Sequence, residues 1–293
     1  MYQFLRQLIR AAFIFLLFLG LMFVIIGSNN KRIFANECMK TTAFVLFAGD
    51  SHIQLGLDAN LIHSSKNIAN LGEAYIYTYE KLVFYLQYNH TIKQIYLGVG
   101  CHNFSSYYDG FSHDRLPDYL PIFSFKEQLK KSYDAQYGFV NIVSPVLYNG
   151  IINSFKKPGQ YTYSGGFSNY SLNRDNNDSL VLPRINSQFY HSKGRLKGYS
   201  DSNMKYLKKI INLCNKKGIR LYLIATPLHP EYRKKVPSSY ITKRNNFLSR
   251  EKVEFVNFDE MRMPEGSFMP DGDHLTASDA AYFTKYLNQK FRF

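Results

Sequence analysis

The feature of this 293-residue chain that most constrains its fold is an alternation of short apolar runs with longer amphipathic segments. Residues 44–47 are continuously apolar, as expected of a strand in a parallel sheet that is covered on both faces. Further strands, apolar for the most part, are predicted at residues 67–71, 94–99, 219–225 and 253–258. Strands that alternate with helices predict an α/β protein with a parallel sheet.

Helices are predicted between these strands, beginning near Ser51 and covering residues 78–88, 201–217 and 276–291. The clearest of them, at residues 201–217, ends at Gly218 and carries one apolar stripe formed by Met204, Leu207, Ile210, Ile211 and Cys214. Thr276 with Asp279 three residues later predicts a capping box at the start of the last helix. Together, the elements predict a three-layer α/β/α sandwich.

The N-terminus carries a second clear signal, an uncharged and almost wholly apolar stretch at residues 11–27. At roughly 1.5 Å per residue this stretch nearly spans a hydrocarbon core of about 30 Å. A cleaved signal peptide is the alternative. The apolar stretch ends at Ile25-Ile26-Gly27-Ser28, however, which is a poor cleavage site because signal peptides usually end in small residues. We therefore predict a membrane anchor over residues 1–30, a polar stem over residues 31–42, and a main domain outside the cytoplasm.

Two short motifs lie at opposite ends of the predicted domain. Gly49-Asp50-Ser51-His52 follows the first strand directly, and Asp271-Gly272-Asp273-His274 precedes the last helix. A serine on a tight strand-to-helix turn, together with a distant histidine and aspartate, supplies the parts of a nucleophile, base and orienting group. Ser51 is the candidate nucleophile, His274 the general base and Asp271 its orienting carboxylate, with Asp273 as the alternative. A helix cap at Asp50-Ser51 is the structural alternative.

These motifs, in this order within an α/β pattern, resemble those of the SGNH (GDSL-type) hydrolase and acyl-esterase superfamily. The resemblance implies a flavodoxin-like sheet, a serine-dependent esterase or acyltransferase activity, and no cofactor or metal. It also implies an oxyanion hole formed by the backbone of Ser51, by Gly72 after the second strand, and by an asparagine after the third.

The third family block is normally G-x-N-D, and this sequence departs from it with Gly98-Val99-Gly100-Cys101-His102-Asn103. Asn103 is displaced and no aspartate follows it, which leaves its oxyanion role open. Three histidines, His52, His102 and His229, are candidate substrate-binding residues, although packing is the simpler expectation for His52 and an ordinary loop position for His229. The basic residues at 233–235 and 243–244 predict a solvated helical face, with a phospholipid-facing patch as the alternative.

Between residues 104 and 198 the alternating pattern is lost, and Tyr, Ser, Asn and Gly are frequent. A structureless loop of that length is improbable in a compact domain. We therefore predict a main domain over residues 43–293, with an insertion at about residues 104–198. Short helices are expected at residues 125–133 and 141–155, and residues 161–166 are the clearest Tyr-rich stretch. The insertion would lie over the strand ends as a cap that binds glycan through its tyrosines, or would have packing roles only.

Composition limits the partners. The net charge of +14 favours anionic surfaces such as phospholipid head groups or acidic glycans, and no motif supports nucleic-acid binding. The three cysteines, Cys38, Cys101 and Cys214, suggest neither a disulfide framework nor a metal site.

Within the superfamily, an anchor followed by an outward-facing domain looks like the membrane-tethered proteins that modify cell-envelope polymers. That analogy implies an acylated glycan or glycolipid substrate and a membrane acyl-donor protein as a partner. Two alternatives stay open: a plain carbohydrate or lipid esterase that uses the same three residues, and a non-catalytic protein that keeps the fold for binding or assembly.

Overall fold

The computed structural model describes residues 2–39, 41–114, 119, 165–170 and 179–292. The chain divides into two compact units, one of Met1–Glu37 with Arg115–Tyr163 and the other of Cys38–Asp114 with Ser164–Phe293. The helices predicted at residues 125–133 and 141–155, and most of the Tyr-rich stretch at 161–166, lie outside the described residues.

The N-terminal helix, α1, covers Tyr2–Met39. Among the described residues it is the one helix long and apolar enough to cross a membrane. Its large apolar side chains are mostly exposed; Phe13 and Ile14, for example, are 62% and 66% exposed. The helix continues through most of the segment that the sequence assigns to a polar stem.

The second unit contains five strands, which are β1 (Val45–Ala48), β2 (Ser65–Asn67), β3 (Gln94–Gly98), β4 (Arg220–Ala225) and β5 (Glu254–Asn257). They form one parallel sheet in the order β2-β1-β3-β4-β5. This is the flavodoxin-like order, so the predicted fold class is confirmed. The second strand begins and ends earlier than the predicted residues 67–71.

The remaining helices of the described chain are α2 (Ser51–Gly56), α3 (Tyr75–Tyr88), α4 (Tyr107–Asp114), α5 (Val181–Phe189), α6 (Asp201–Lys217), α7 (Pro230–Lys235), α8 (Ser238–Glu251) and α9 (Ala277–Phe291). Two short 3₁₀ helices cover Ala59–Leu61 and Cys101–Phe104.

Local sequence explains where the long helices begin and end. Helix α6 starts after Ser200, whose hydroxyl accepts the N–H of Asn203 at 3.0 Å, and ends at Gly218 with a φ of 64°. Helix α9 starts after Thr276 as predicted. The Thr276 hydroxyl, however, donates to the Asp279 carboxylate at 2.6 Å instead of accepting a backbone N–H.

Apolar side chains on alternate strand positions fill both faces of the sheet. On one face Phe47, Tyr96 and Tyr222 pack with residues of α2 and α9, and the rings of Tyr96 and Tyr222 stack at 4.6 Å. The intervening buried residues, such as Leu46 and Leu97, point to the other face, on which α3 and α6 pack together. Because helices cover both faces, the central strands β1, β3 and β4 are apolar along almost their whole length, whereas the edge strands β2 and β5 carry polar residues.

The second basic segment is not wholly the solvated face that the sequence predicts. Arg244 is buried on α8, and its Nη1 donates to the Asp259 carboxylate at 2.8 Å. A buried guanidinium is stable only with such a partner. All three cysteines are buried, and no disulfide joins them in the described part of the chain.

Candidate active site

Ser51 lies where the chain passes from β1 into α2, at the carboxyl edge of the sheet between β1 and β3. Gly49 has a φ of 133°, and a Cβ there would lie 3.2 Å from the Gly98 backbone nitrogen, so this turn favours glycine. Asp50 caps α2 by accepting the N–H of His52 at 3.0 Å. Ser51 is therefore the first residue of α2. It lies at the switch point of the sheet, where the connections that follow the neighbouring strands β1 and β3 run in opposite directions, and ligands commonly bind at such points.

His274 reaches Ser51 from the segment between β5 and α9. The positive φ of Gly272 (75°) allows the tight turn in this segment, and the His274 carbonyl accepts the N–H of Met269 at 2.9 Å. His274 Nε2 lies 2.8 Å from Ser51 Oγ, although 223 positions separate the two residues. His274 Nδ1 lies 2.6 Å from Asp271 Oδ2.

The partners of His274 assign its tautomer. A carboxylate can only accept, so Nδ1 carries the proton toward Asp271, and the lone pair of Nε2 faces the hydroxyl of Ser51. This arrangement is the one that a serine nucleophile and a histidine base require. All three side chains are more than nine-tenths buried.

The second carboxylate of the motif, Asp273, also reaches His274. Its Oδ1 lies 3.3 Å from His274 Nδ1, and its Oδ2 accepts hydrogen bonds of 2.8 Å from Arg184 Nε and Gln188 Nε2. The sequence did not single out these two residues, because they lie within residues 104–198, where the alternating pattern is lost. Their i, i+4 spacing on the amphipathic segment of α5 was the available signal.

Asp50 is the centre of a buried hydrogen-bond network below Ser51. Its Oδ2 accepts from His102 Nε2 at 2.9 Å, from Asn103 Nδ2 at 2.7 Å and from the hydroxyl of Tyr108. Asn103 Oδ1 in turn accepts the N–H of Gly100 at 2.7 Å. The displaced third block thus holds the nucleophile turn, and Asn103 has one N–H left that could face an oxyanion.

His52 lies between the other two histidines of the site. Its ring stacks on His102 at 4.1 Å and lies 5.0 Å from the His274 ring. Its Nδ1 is 3.2 Å from the Thr226 hydroxyl and its Nε2 is 3.3 Å from Asp273 Oδ2. His52 and His102 are both buried, and their stacked rings pack beside His274.

The two remaining sequence candidates lie at the rim of the site. Gly72, with a φ of 62°, follows β2 in a turn next to the nucleophile, since the N–H of Asn70 donates to the Gly49 carbonyl at 3.2 Å. His229 caps α7, and its backbone N–H donates to the Gly272 carbonyl at 2.9 Å. Its side chain accepts from the N–H of Glu231, which makes it a helix cap at the active edge.

Burial and charge set the protonation of these groups. Burial alone would lower the pKa of His274, but the charge of Asp273 and the hydrogen bond that His274 donates to Asp271 outweigh it and raise that pKa above its usual value. Burial and the neighbouring His52 lower the pKa of His102 to about 4, despite Asp50. His102 is therefore neutral near pH 7, and it donates its Nε2–H to a carboxylate.

Burial would raise the pKa of Asp273, but His274 and then Arg184 outweigh it and hold that pKa well below its usual range. The pKa of Asp50 is likewise lowered, because its interactions with His102 outweigh the effect of burial. Both aspartates are therefore ionised near neutral pH.

His52, Asp273 and His274 also have potential metal-ligand atoms within 4.8 Å of one another. The partners of these atoms argue against a cation, because both ring nitrogens of His274 are engaged and Arg184 already neutralises Asp273. The cluster is accounted for by hydrogen bonds and ion pairs.

Comparisons with known proteins give a partial match. One protein-family model matches residues 184–292, which are fewer than half of the chain. No curated protein matches the chain.

Two solved structures resemble this chain in the path of the backbone. A protein of Streptococcus pneumonia, provisionally described as a platelet activating factor, is 14% identical with a TM-score of 0.42, covering 96% of this chain and 98% of that one. A GDSL-like lipase of Bacteroides thetaiotaomicron is 10% identical with a TM-score of 0.37, covering 90% and 99% respectively. With identities and TM-scores this low, neither alignment carries information about the chemistry of the site.

Proposed function

We propose that this protein is a membrane-anchored SGNH-type serine O-acyl esterase or acyltransferase that acts on a cell-envelope glycan or glycolipid. The observation that carries the proposal is the pair of contacts of 2.8 Å and 2.6 Å that connect Ser51, His274 and Asp271. A helix cap at Ser51 alone would not require a histidine from the far end of the chain to point at its hydroxyl.

In the proposed mechanism Ser51 Oγ attacks the acyl carbonyl carbon while its proton moves to His274 Nε2. The imidazolium then donates that proton to the departing alkoxide, which leaves an acyl-serine. In the second half, His274 takes a proton from water or from an acceptor hydroxyl as that oxygen attacks the acyl carbon. The imidazolium then returns the proton to Ser51 Oγ as the bond between Oγ and the acyl carbon breaks. Asp271 keeps the ring oriented throughout.

The negative oxygen formed during each attack needs hydrogen-bond donors. We assign this role to the backbone N–H groups of Ser51 and Gly72, with the remaining N–H of Asn103 as a third candidate. Asn103 already holds Asp50, so the backbone donors are the main contributors in this proposal.

The proposed location and substrate class rest on the apolar helix α1 and on the net charge of +14. An anchored, basic protein is attracted to anionic lipids and acidic envelope polymers. Transfer and hydrolysis use the same three residues and differ in whether an acceptor hydroxyl or water attacks the acyl-serine.

The test uses the full-length protein in detergent with a chromogenic acetyl ester and a fluorophosphonate probe. We expect ester turnover and covalent labelling, both lost in Ser51→Ala and both retained in Ser278→Ala, which removes an exposed hydroxyl of α9. Adding glycan acceptors and following the acyl group by mass spectrometry then separates transfer from hydrolysis. Turnover and labelling that persist in Ser51→Ala would exclude the serine mechanism and favour a binding protein.

A further inference from the structure

The feature that the proposed mechanism leaves unexplained is the second buried carboxylate, Asp273. It is 1% exposed, and its Oδ1 points to the same ring nitrogen of His274 that bonds Asp271. Within the described part of the chain, that oxygen has no hydrogen-bond partner. A buried, ionised carboxylate oxygen in this state is costly unless a nearby positive charge stabilises it.

The other oxygen of Asp273 is held firmly. Arg184 and Gln188 both donate to Oδ2, and the hydroxyl of Tyr232 donates to Gln188 Oε1. Because Arg184 and Gln188 are four residues apart on α5, one helix supplies both donors. This cradle fixes the carboxylate so that Oδ1 faces His274.

The charges of the cluster balance in only one protonation state of His274. Asp271 and Asp273 contribute two negative charges and Arg184 one positive charge, so the cluster carries one net negative charge while His274 is neutral. When His274 accepts a proton the cluster becomes neutral. A buried site with little water favours the balanced state.

We propose that Asp273 and Arg184 are opposing positioning residues, in which Asp273 stabilises the imidazolium of His274 during acyl transfer and Arg184 limits that stabilisation. The proposal rests on the proposed function, and it gives the two aspartates different roles. Asp271 orients the ring through a hydrogen bond, whereas Asp273 acts through its charge and neither gains nor loses a proton.

Arg184 is needed because an unopposed pair of carboxylates would keep His274 protonated. A protonated imidazole cannot accept the proton of Ser51, so the base would be inactive near neutral pH. The effects on the pKa of His274 agree with this, since the charge of Asp273 raises it and that of Arg184 lowers it.

Apart from Asp271, Asp273 and Arg184, the ionisable groups near His274 do not supply the opposing charges that act on its imidazole. Among the described residues, the groups that reach its ring are Asp271, Asp273, Ser51 and His52, and the charge of Arg184 acts on it through space. Behind His52, His102 has a pKa of about 4 and is neutral above it, and Asp50 remains ionised. Tyr107 and Tyr232 border the Asp273 carboxylate, and burial raises the pKa of both hydroxyls.

The direct test is an NMR titration of full-length protein in detergent micelles, labelled with ¹⁵N at histidine and assigned by comparison with His274→Gln. We expect Asp273→Asn to lower the pKa of His274 by roughly one unit or more, and Arg184→Gln to raise it. Asp279→Asn, which removes a nearby carboxylate that contacts Ser267 and Thr276, is the matched control and should leave that pKa unchanged.

Shifts in opposite directions cannot result from a general loosening of the site, which would move both variants the same way. If the two variants move the pKa of His274 in the same direction, or by less than the Asp279→Asn control, the proposal is wrong. The acidic limb of kcat/KM against pH should move with the titration, to lower pH in Asp273→Asn and to higher pH in Arg184→Gln.

The titration separates this proposal from the proposed function. Opposite shifts in a protein without Ser51-dependent turnover would retain the charge arrangement and remove the esterase assignment. Turnover that depends on Ser51, together with an unmoved His274 titration, would retain the enzyme and remove the roles given to Asp273 and Arg184.

Discussion

At the residue scale, two of the three buried aspartates of the site, Asp50 and Asp273, each accept hydrogen bonds from a separate set of donors. Asp50 collects donors from the segment after β3 and fixes the turn that carries Ser51. Asp273 collects donors from α5 and faces the base. Ser51 and His274, the proposed nucleophile and base, are therefore each supported by a different buried carboxylate.

The raised pKa of His274 predicts the pH dependence of the reaction. The base must be unprotonated to accept the Ser51 proton, so activity should increase as pH rises through the pKa of His274. Because that pKa is raised, the acidic limb of kcat/KM should have its midpoint above the ordinary histidine value of about 6.5. Steady-state rates with a neutral ester between pH 5 and 9 measure it, and a midpoint clearly below 6.5 would contradict the assigned base.

Asn103→Ala tests which role that residue has. The change removes a donor to Asp50 and an acceptor for the Gly100 N–H, so the free energy of unfolding should fall by about 1–3 kcal/mol. We expect kcat to fall less than tenfold, because the backbone donors remain. Urea denaturation and ester kinetics are the measurements. A loss of 10²–10³ in kcat at unchanged stability would instead identify Asn103 as an oxyanion donor.

At the element scale, the nucleophile depends on the close approach of α2 to β3. A Cβ at Gly98 would lie 2.4 Å from Cγ1 of Ile53, which is buried on α2. The helix could not keep its position against the sheet, and it carries Ser51 at its first residue. The β3 glycine therefore positions the site although it contacts no reacting group.

We accordingly expect Gly98→Ala to destabilise the protein by about 1–3 kcal/mol and to reduce kcat strongly, because α2 must move. Gly56→Ala is the matched control on the same helix, since its Cβ would meet Thr226 at an ordinary 3.5 Å. Thermal unfolding and ester turnover of both variants measure the difference. If the two variants have the same thermal stability and the same ester turnover, the close approach of α2 to β3 is not required for stability or activity.

At the scale of the whole molecule, α1 predicts how the protein distributes in a cell. An uncleaved apolar helix should keep the full-length chain in the membrane fraction after high-salt washing and release it with detergent. Fractionation with N-terminal sequencing measures this. A soluble mature form that begins after about Gly27 would show instead that the segment is a cleaved signal peptide.

The sequence by itself indicated most of the strands and helices of the sheet domain, and it indicated the two motifs that follow β1 and precede α9. The apolar strand before Gly49 and the stripe of α6 were readable because burial and helix capping depend on residues a few positions apart. The parallel sheet followed, because helices must cover both of its apolar faces.

Only the tertiary structure decided which side chains meet. The contact of Ser51 with His274 spans 223 positions, and that of Arg184 with Asp273 spans 89. Such contacts depend on the order of strands and on how helices pack, which periodicity does not record. The sequence therefore indicated Ser51, His274 and Asp271 as parts of one site, whereas the buried donors around Asp50 and Asp273 emerged only once the chain was folded.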